Sequence, residues 1–246
     1  MGPEEAAERL AGKRLAVLTG AGMSVASGIP DFRSPGGLWS TFPPHEYATR
    51  AAFAQDPEKV WNMFHGLYDV VDGAEPNAAH DALARLEKAR ILLGVITQNI
   101  DGLHRRAGSH RIIAYHGNGR ILRCLGCGYH CDWPHDPRCP DCGAWLKPDI
   151  ILFGDPLHEG VIHEAEGLAR YCDALLVLGT SAEVWPAASL PGIAQEAGAM
   201  VIDFNLERTD LAESLEIPTV LGDIVDTLPR FADRLLALSG QSTSAM

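Results

Sequence analysis

Five small polar clusters in this 246-residue chain each come directly after a run of apolar residues: Thr19-Gly20, Gln98-Asn99, His116, Gly179-Thr180-Ser181 and Asn205. Such side chains donate and accept hydrogen bonds, and a histidine exchanges protons near neutral pH. The first cluster opens Gly20-Ala21-Gly22-Met23-Ser24, which runs on into Ser27-Gly28-Ile29-Pro30-Asp31-Phe32-Arg33. Gly20 and Gly22 lack Cβ atoms, so their N–H groups can come close to an anion. A helix beginning at Ala21 to Ser24 would turn its positive end towards a pyrophosphate. The third glycine of a dinucleotide-binding turn is absent, because Val25 stands there. The continuation is the stronger signal. A proline, an aromatic ring and two opposite charges within four residues read as a loop folded over a ligand.

Cys124-x-x-Cys127 and Cys139-x-x-Cys142, each followed by glycine, have the spacing of a short zinc ribbon. Four thiolates close the coordination of a tetrahedral ion, so the metal expected is structural rather than catalytic. His130, Cys131 and His135 stand near enough to compete as ligands, whereas Cys172, in apolar surroundings, reads as a small buried hydrophobe. Asn99 and Asp101 are equally at home as helix caps or as site residues. A lone histidine is more often structural than basic, but a strand end beside Gly117 tips His116 towards catalysis.

Apolar runs at 14–19, 91–97, 111–114, 150–153, 174–179, 200–204 and 218–221 predict strands, and helical periodicity fills 4–11, 76–89, 161–171, 187–197 and 223–238. Pro191-Gly192 would interrupt the fourth of these helices, Pro229 would kink the last, and the tail from Ser239 reads as disordered. Alternating strands and helices give an α/β fold, a doubly wound, Rossmann-like parallel sheet whose ligands bind outside the strands' carboxyl ends. The five clusters fall at such ends. The expected domains are the Rossmann-like part, 1–37 with 74–119 and 149–246, and a smaller part made of a helical insertion, 38–73, and the zinc ribbon, 120–148. A net charge of −12 argues against gripping nucleic acid. With no run near the roughly 20 residues of a membrane span, the expectation is a soluble, cytoplasmic monomer that binds neither membrane nor nucleic acid.

Taken together, Gly20-Ala-Gly-x-Ser24, Gly28-Ile-Pro-Asp-Phe-Arg33, Thr97-Gln-Asn-Ile-Asp101, His116-Gly117, the cysteine pairs, Pro148-x4-Phe153-Gly154, Gly179-Thr-Ser181 and Asn205 resemble the sirtuin family of NAD-dependent protein deacylases. The resemblance implies NAD along the strand ends, with pyrophosphate against Ala21, Gly22 and Arg33 and adenosine against Thr180, Ser181, Asn205, Asp223 and Ile224. It implies a nicotinamide pocket of Ala21, Ile29, Phe32, Asn99, Ile100 and Asp101, with Gln98 holding the ribose. Gly20, Ser24, Asp31 and Gly179 complete the implied cofactor set. Nicotinamide would be released, the acyl group of a protein lysine would leave as O-acyl-ADP-ribose, His116 would act as base and Asn99 would position ribose or water. The substrate peptide would lie as a strand between Gly154-Asp155 and Ala182-Glu183-Val184, with Ile151, Phe153 and His116 lining the acyl-lysine tunnel.

Family members that prefer acidic acyl groups carry a Tyr-x-x-Arg pair where this chain has Phe64 and Leu67, so neutral acyl groups are expected here over succinyl. Tyr115 and Asp155 also depart from the family's usual aliphatic residue and glutamate. Two other readings keep the NAD site: mono-ADP-ribosyl transfer to protein, and a non-catalytic NAD sensor.

Overall fold

All five residues of the strand Leu15–Thr19 are buried, as a parallel strand covered on both faces requires. In chain order the strands of the computed structural model, which describes residues 1–133 and 136–242, are β1 (Leu15–Thr19), β2 (Leu92–Thr97), β3 (Ile112–Ala114), β4 (Gly117–Cys124), β5 (His130–Asp132), β6 (Leu146–Ile150), β7 (Ala174–Leu178), β8 (Met200–Asn205) and β9 (Thr219–Leu221). His135 and the last four residues of the predicted tail lie outside the described residues.

Six strands form one parallel sheet in the order β3-β2-β1-β7-β8-β9. Successive side chains point to opposite faces. Leu15, Val17, Leu176, Leu178, Ile202 and Phe204 pack with helices Pro3–Arg9, Ala78–Lys88 and Ile224–Ser242 through Ala6, Leu83, Leu86, Leu228 and Phe231. Ala16, Leu18, Leu175, Val177 and Val201 pack on the other side with helices Glu159–Tyr171 and Leu190–Glu196 through Ala165, Ala169, Leu190 and Ala194. Cys172 is buried in this second layer. A doubly wound α/β sheet results.

The remaining strands form an antiparallel sheet, β5-β4-β6. Its apolar face shares one core with the helix Pro57–Gly73: Val60, Trp61, Phe64 and Tyr68 meet Leu122, Cys124, Cys139 and Leu146. Trp61 Nε1 donates to the Leu146 carbonyl at 2.8 Å, and Tyr68 stacks on Trp133 at 4.1 Å. Zinc ribbon and helical insertion therefore make a single smaller unit.

Four local expectations are corrected. The residues after Gly20 form two 3₁₀ turns, Ala21–Met23 and Val25–Ser27, instead of an α-helix. The extended run expected at 150–153 is β6, which begins earlier and ends at Ile150. Pro148 is tolerated there because β6 is an edge strand. Pro191 occupies the first turn of its helix, where no N–H is needed, and so does not break it. The last helix carries Pro229 inside it and continues to Ser242, so residues 239–242 are helical. Among the described residues, no helix is long and apolar enough to cross a membrane.

Candidate active site

The strand order runs outwards in opposite directions from β1 and β7, so a crevice opens between the carboxyl ends of these two strands. A cavity of about 930 Å³ lies there, within the range of small-molecule sites. Its wall contains Gly20, Ala21 and Gly22 after β1, Gln98, Asn99 and Ile100 after β2, and His116 after β3. Gly179, Thr180 and Ser181 follow β7, Asn205 ends β8, and Asp223 and Ile224 follow β9. Asp31, Phe32 and Arg33 roof it, and Ile151, Phe153, Gly154, Asp155, Glu183 and Val184 line it as well. Four expected residues, Ser24, Ile29, Asp101 and Ala182, do not reach the wall, and Ala182 is buried beside it. Ser24 and Asp101 are buried, and Ile29 packs with Val71, Ala74 and Leu103.

Gly20 and Gly22 are glycines for a different reason from the one their spacing predicts. The N–H of Gly20 donates to the Leu178 carbonyl at 3.1 Å and that of Gly22 to the Gly179 carbonyl at 2.8 Å. Neither N–H is left for an anion. A Cβ on Gly20 would stand 2.5 Å from Thr180 Cβ, and one on Gly22 would stand 2.8 Å from the Gly179 oxygen. The close approach that needs glycine is between the tips of β1 and β7, and it draws the turn tight into 3₁₀ form. Ala21 is the residue of the three whose N–H makes none of these bonds.

His116 Nδ1 lies 3.1 Å from the Gln98 carbonyl oxygen. A carbonyl can only accept, so Nδ1 carries the proton and Nε2 is the lone-pair nitrogen of the neutral ring. Burial lowers the His116 pKa, and the Gln98 bond raises it by less. Asn99 spends its Nδ2 donors on the Gly20 carbonyl at 2.9 Å and on Ser24 Oγ at 3.2 Å, which leaves its Oδ1 as the acceptor on offer. Ser24 Oγ donates to Asp101 Oδ2 at 2.7 Å, while Asp101 Oδ1 accepts the Leu103 N–H at 2.8 Å. Asp101 thus holds the first N–H of the following turn and anchors Ser24 at once. Gln98 Nε2 donates to Thr180 Oγ1 at 3.0 Å, and Asn205 Nδ2 to the Thr180 carbonyl at 3.2 Å, tying the tips of β2, β7 and β8 together. Asp31 Oδ1 accepts from the N–H groups of Arg33 and Ser34, shaping the roof, and Arg33 Nε faces Glu183 at 3.6 Å across the mouth.

The sulfurs of Cys124, Cys127, Cys139 and Cys142 all lie within 4.8 Å of one another. A tetrahedral zinc with Zn–S bonds of about 2.3 Å separates its sulfurs by about 3.8 Å. The Cys124–Cys142 and Cys127–Cys139 distances of 3.5 and 3.6 Å fit that ion. His130 and Cys131 stand outside the cluster.

The sequence model of the Sir2 family matches residues 20–186, more than half of the chain. The NAD-dependent protein deacylase of Aeropyrum pernix is 48% identical over 209 residues, covering 82% of this chain and 85% of that protein. The chain belongs to the Sir2 family. A Sir2 homologue solved as an NAD complex superposes with a TM-score of 0.88 at 38% identity, covering 96% of this chain and 95% of the other. A Sir2 protein bound to a myristoylated histone peptide superposes at 0.81 with 36% identity, covering 97% and 98%. With the family comes its enzyme class, NAD-dependent protein deacylase, with NAD as co-substrate and a structural zinc.

Several residues of this Sir2 site escape sequence reasoning. Leu38, Trp39, Met63 and Leu157 also line the cavity, as do Phe64 and Leu67, the positions expected to decide acyl charge. Trp39 lies 5.1 Å from Phe32, ring to ring, and steadies the roof. His80 and His104 lie buried behind the wall, where His104 Nε2 is 3.0 Å from Thr19 Oγ1. Thr19 Oγ1 is bonded to Thr97 Oγ1, which accepts the Asn99 N–H at 3.1 Å. The capping signature of an asparagine three residues before His80 was the available signal.

Proposed function

We propose that this Sir2 enzyme removes neutral acyl groups from protein lysines, with His116 as general base and Asn99 as the residue that orients ribose or water. The carrying observation is the His116–Gln98 bond, which leaves an unprotonated Nε2 on a neutral ring in the wall of the cavity. Bound NAD supplies a ribose whose bond to nicotinamide breaks and whose hydroxyl then takes the acyl group. Ala21 and Arg33 would hold its pyrophosphate, with the Ala21 N–H as the backbone donor and Gly22 lining the wall beside it. Thr180, Ser181, Asn205, Asp223 and Ile224 would hold adenosine, and Gln98 the nicotinamide ribose. Ser24 and Asp101 act one layer back by fixing the Asn99 amide, while Ile29 backs the pocket. Phe32, braced by Trp39, excludes stray water from the reacting centre.

The peptide would pair along Gly154-Asp155 and Ala182-Glu183-Val184, and its acylated side chain would pass Ile151, Phe153 and His116. Met63, Phe64 and Leu67 line the cavity with apolar surface and offer no cation to a succinyl carboxylate. The net charge of −12 favours protein over nucleic acid as partner. The cleft would separate the Rossmann-like part, 1–37 with 74–119 and 149–246, from the smaller part, 38–73 with 120–148.

A panel of acetyl-, longer neutral acyl- and succinyl-lysine peptides with NAD, scored for nicotinamide release and product mass, tests the proposal. Neutral chains should outrun succinyl, giving free lysine and O-acyl-ADP-ribose. Succinyl ranked first would refute the reading of Phe64 and Leu67, and a protein gaining ADP-ribose without losing its acyl group would refute deacylation.

A further inference from the structure

Lys147 is the only lysine or arginine that is buried among the described residues. Taking an ammonium out of water is unfavourable unless it is both paired and hydrogen-bonded, and an apolar side chain of similar size generally fills such a place at least as stably. Its presence therefore calls for a reason other than core filling. Its Nζ lies 2.8 Å from Asp155 Oδ2 and donates to the Ile150 carbonyl at 2.6 Å. Asp155 Oδ2 in turn accepts the Leu152 N–H at 3.0 Å, and the Asp155 N–H donates to the Leu152 carbonyl at 2.9 Å. One buried ion pair thus grips both ends of the run 150–155.

The same run is pinned at two other points. The Ile151 N–H donates to the His116 carbonyl at 2.9 Å. Phe153 gives its N–H to the Ala48 carbonyl at 2.8 Å and accepts the Arg50 N–H at 2.9 Å. Gly154 is the residue whose N–H and carbonyl enter none of these bonds, so its backbone remains to pair with an extended peptide. Lys147 itself sits on β6, one residue after Leu146, the register partner of the zinc-ligand position Cys124. The clamp therefore joins the cysteine-bearing sheet to the segment that faces the acyl peptide.

We propose that Lys147, acting through Asp155, is a positioning residue for the acyl-peptide substrate. It fixes the run 150–155 so that Gly154 is presented for backbone pairing and Ile151 and Phe153 keep the acyl tunnel at one width. It touches neither the reacting atoms nor the residues assigned to NAD. The inference rests on the deacylase reading of the cavity.

Steady-state kinetics of the full-length, zinc-loaded enzyme test it, with acyl peptide varied at saturating NAD and NAD varied at saturating peptide. Lys147→Met and Asp155→Ala should each raise the peptide KM about tenfold or more. The NAD KM should stay within about twofold. Asp155→Glu, which keeps the carboxylate, should recover most of the peptide KM, and the two disrupted variants should discriminate less between acyl chain lengths. Peptide KM unchanged in K147M and D155A, or NAD KM rising as steeply as peptide KM, would overturn the clamp. Should K147M fail to fold, Asp155→Asn decides alone: it keeps shape and an acceptor for the Leu152 N–H but removes the charge, and a peptide KM equal to wild type would sink the proposal. Wild-type enzyme releasing no nicotinamide with any acyl peptide would instead refute the deacylase reading, so the two failures are distinguishable.

Discussion

The direction of the His116 titration decides how the proposed base should behave with pH. Burial disfavours the imidazolium and moves the pKa below the ordinary 6.5, and the bond to the Gln98 carbonyl offsets only part of that. The neutral ring is the form that accepts a proton, so the active form predominates at pH 7 and disappears as pH falls through the lowered pKa. The kcat/KM profile should therefore be flat from neutrality upwards on this account, with an acid limb centred below 6.5. His116→Ala should cut turnover by about 10²- to 10⁴-fold and leave NAD binding, measured by calorimetry, nearly intact. An acid limb centred above pH 7, or brisk turnover by the alanine variant, would remove His116 from the role. His116, Gln98 and Asn99 were readable because a polar residue after an apolar strand has few other places to be. His80 and His104 were not, because a histidine on a short helix looks the same in sequence whether solvated or buried. Burial drives their pKa values to about 4 and about 3, which keeps both rings neutral behind the wall.

Elements were legible in proportion to how far their burial imposes a pattern. β1, β2, β7 and β8 are covered on both faces and show as continuous apolar runs. β4 and β6 do not, since Gly117-Asn-Gly-Arg and Lys147-Pro-Asp carry glycines, charges and a proline that suit loops equally well. Their pairing is long-range, closed across the cysteine module, and local periodicity carries no trace of it. The same module sets the expectation for metal removal. Cys124 and Cys139 are buried with Val60, Trp61, Phe64 and Leu146, so zinc loss would leave thiols in the middle of that core. Chelation should raise hydrogen exchange over 117–150 and 57–73 and weaken the near-ultraviolet signal of Trp61 and Trp133. The parallel sheet, with its own two apolar layers, should keep its protection. Equal loss of protection in both sheets would mean that the smaller unit is not independently held by the metal.

For the molecule as a whole, the reversal of strand order at β1 and β7 is what gathers residues from six strand ends into one cavity. Alternating elements in the sequence imply such a sheet, but not which two strands flank the reversal or that their tips touch at Gly22 and Gly179. A buried acid in the same sheet makes global stability depend on pH in an unusual direction. Asp203, on β8, is fully buried, and burial outweighs its hydrogen bond from Thr209, raising its pKa from 3.8 to about 6. Between those two values the folded chain binds a proton that the unfolded chain has lost, so this group's contribution to stability falls as pH rises and is least favourable above about 6. At roughly 1.4 kcal/mol per pKa unit the penalty approaches about 3 kcal/mol. Paired surface carboxylates such as Glu4 and Glu46, held below their ordinary range by backbone and lysine contacts, act in the opposite sense on acidification, so the whole-protein curve mixes both. The variant Asp203→Asn isolates this contribution. Compared by urea midpoint, D203N should gain on wild type between pH 5, where the native carboxyl is largely protonated, and pH 8, where it is ionised in a dry sheet. A gap between the two proteins that stays constant from pH 5 to pH 8 would show that Asp203 titrates as it does in the unfolded chain.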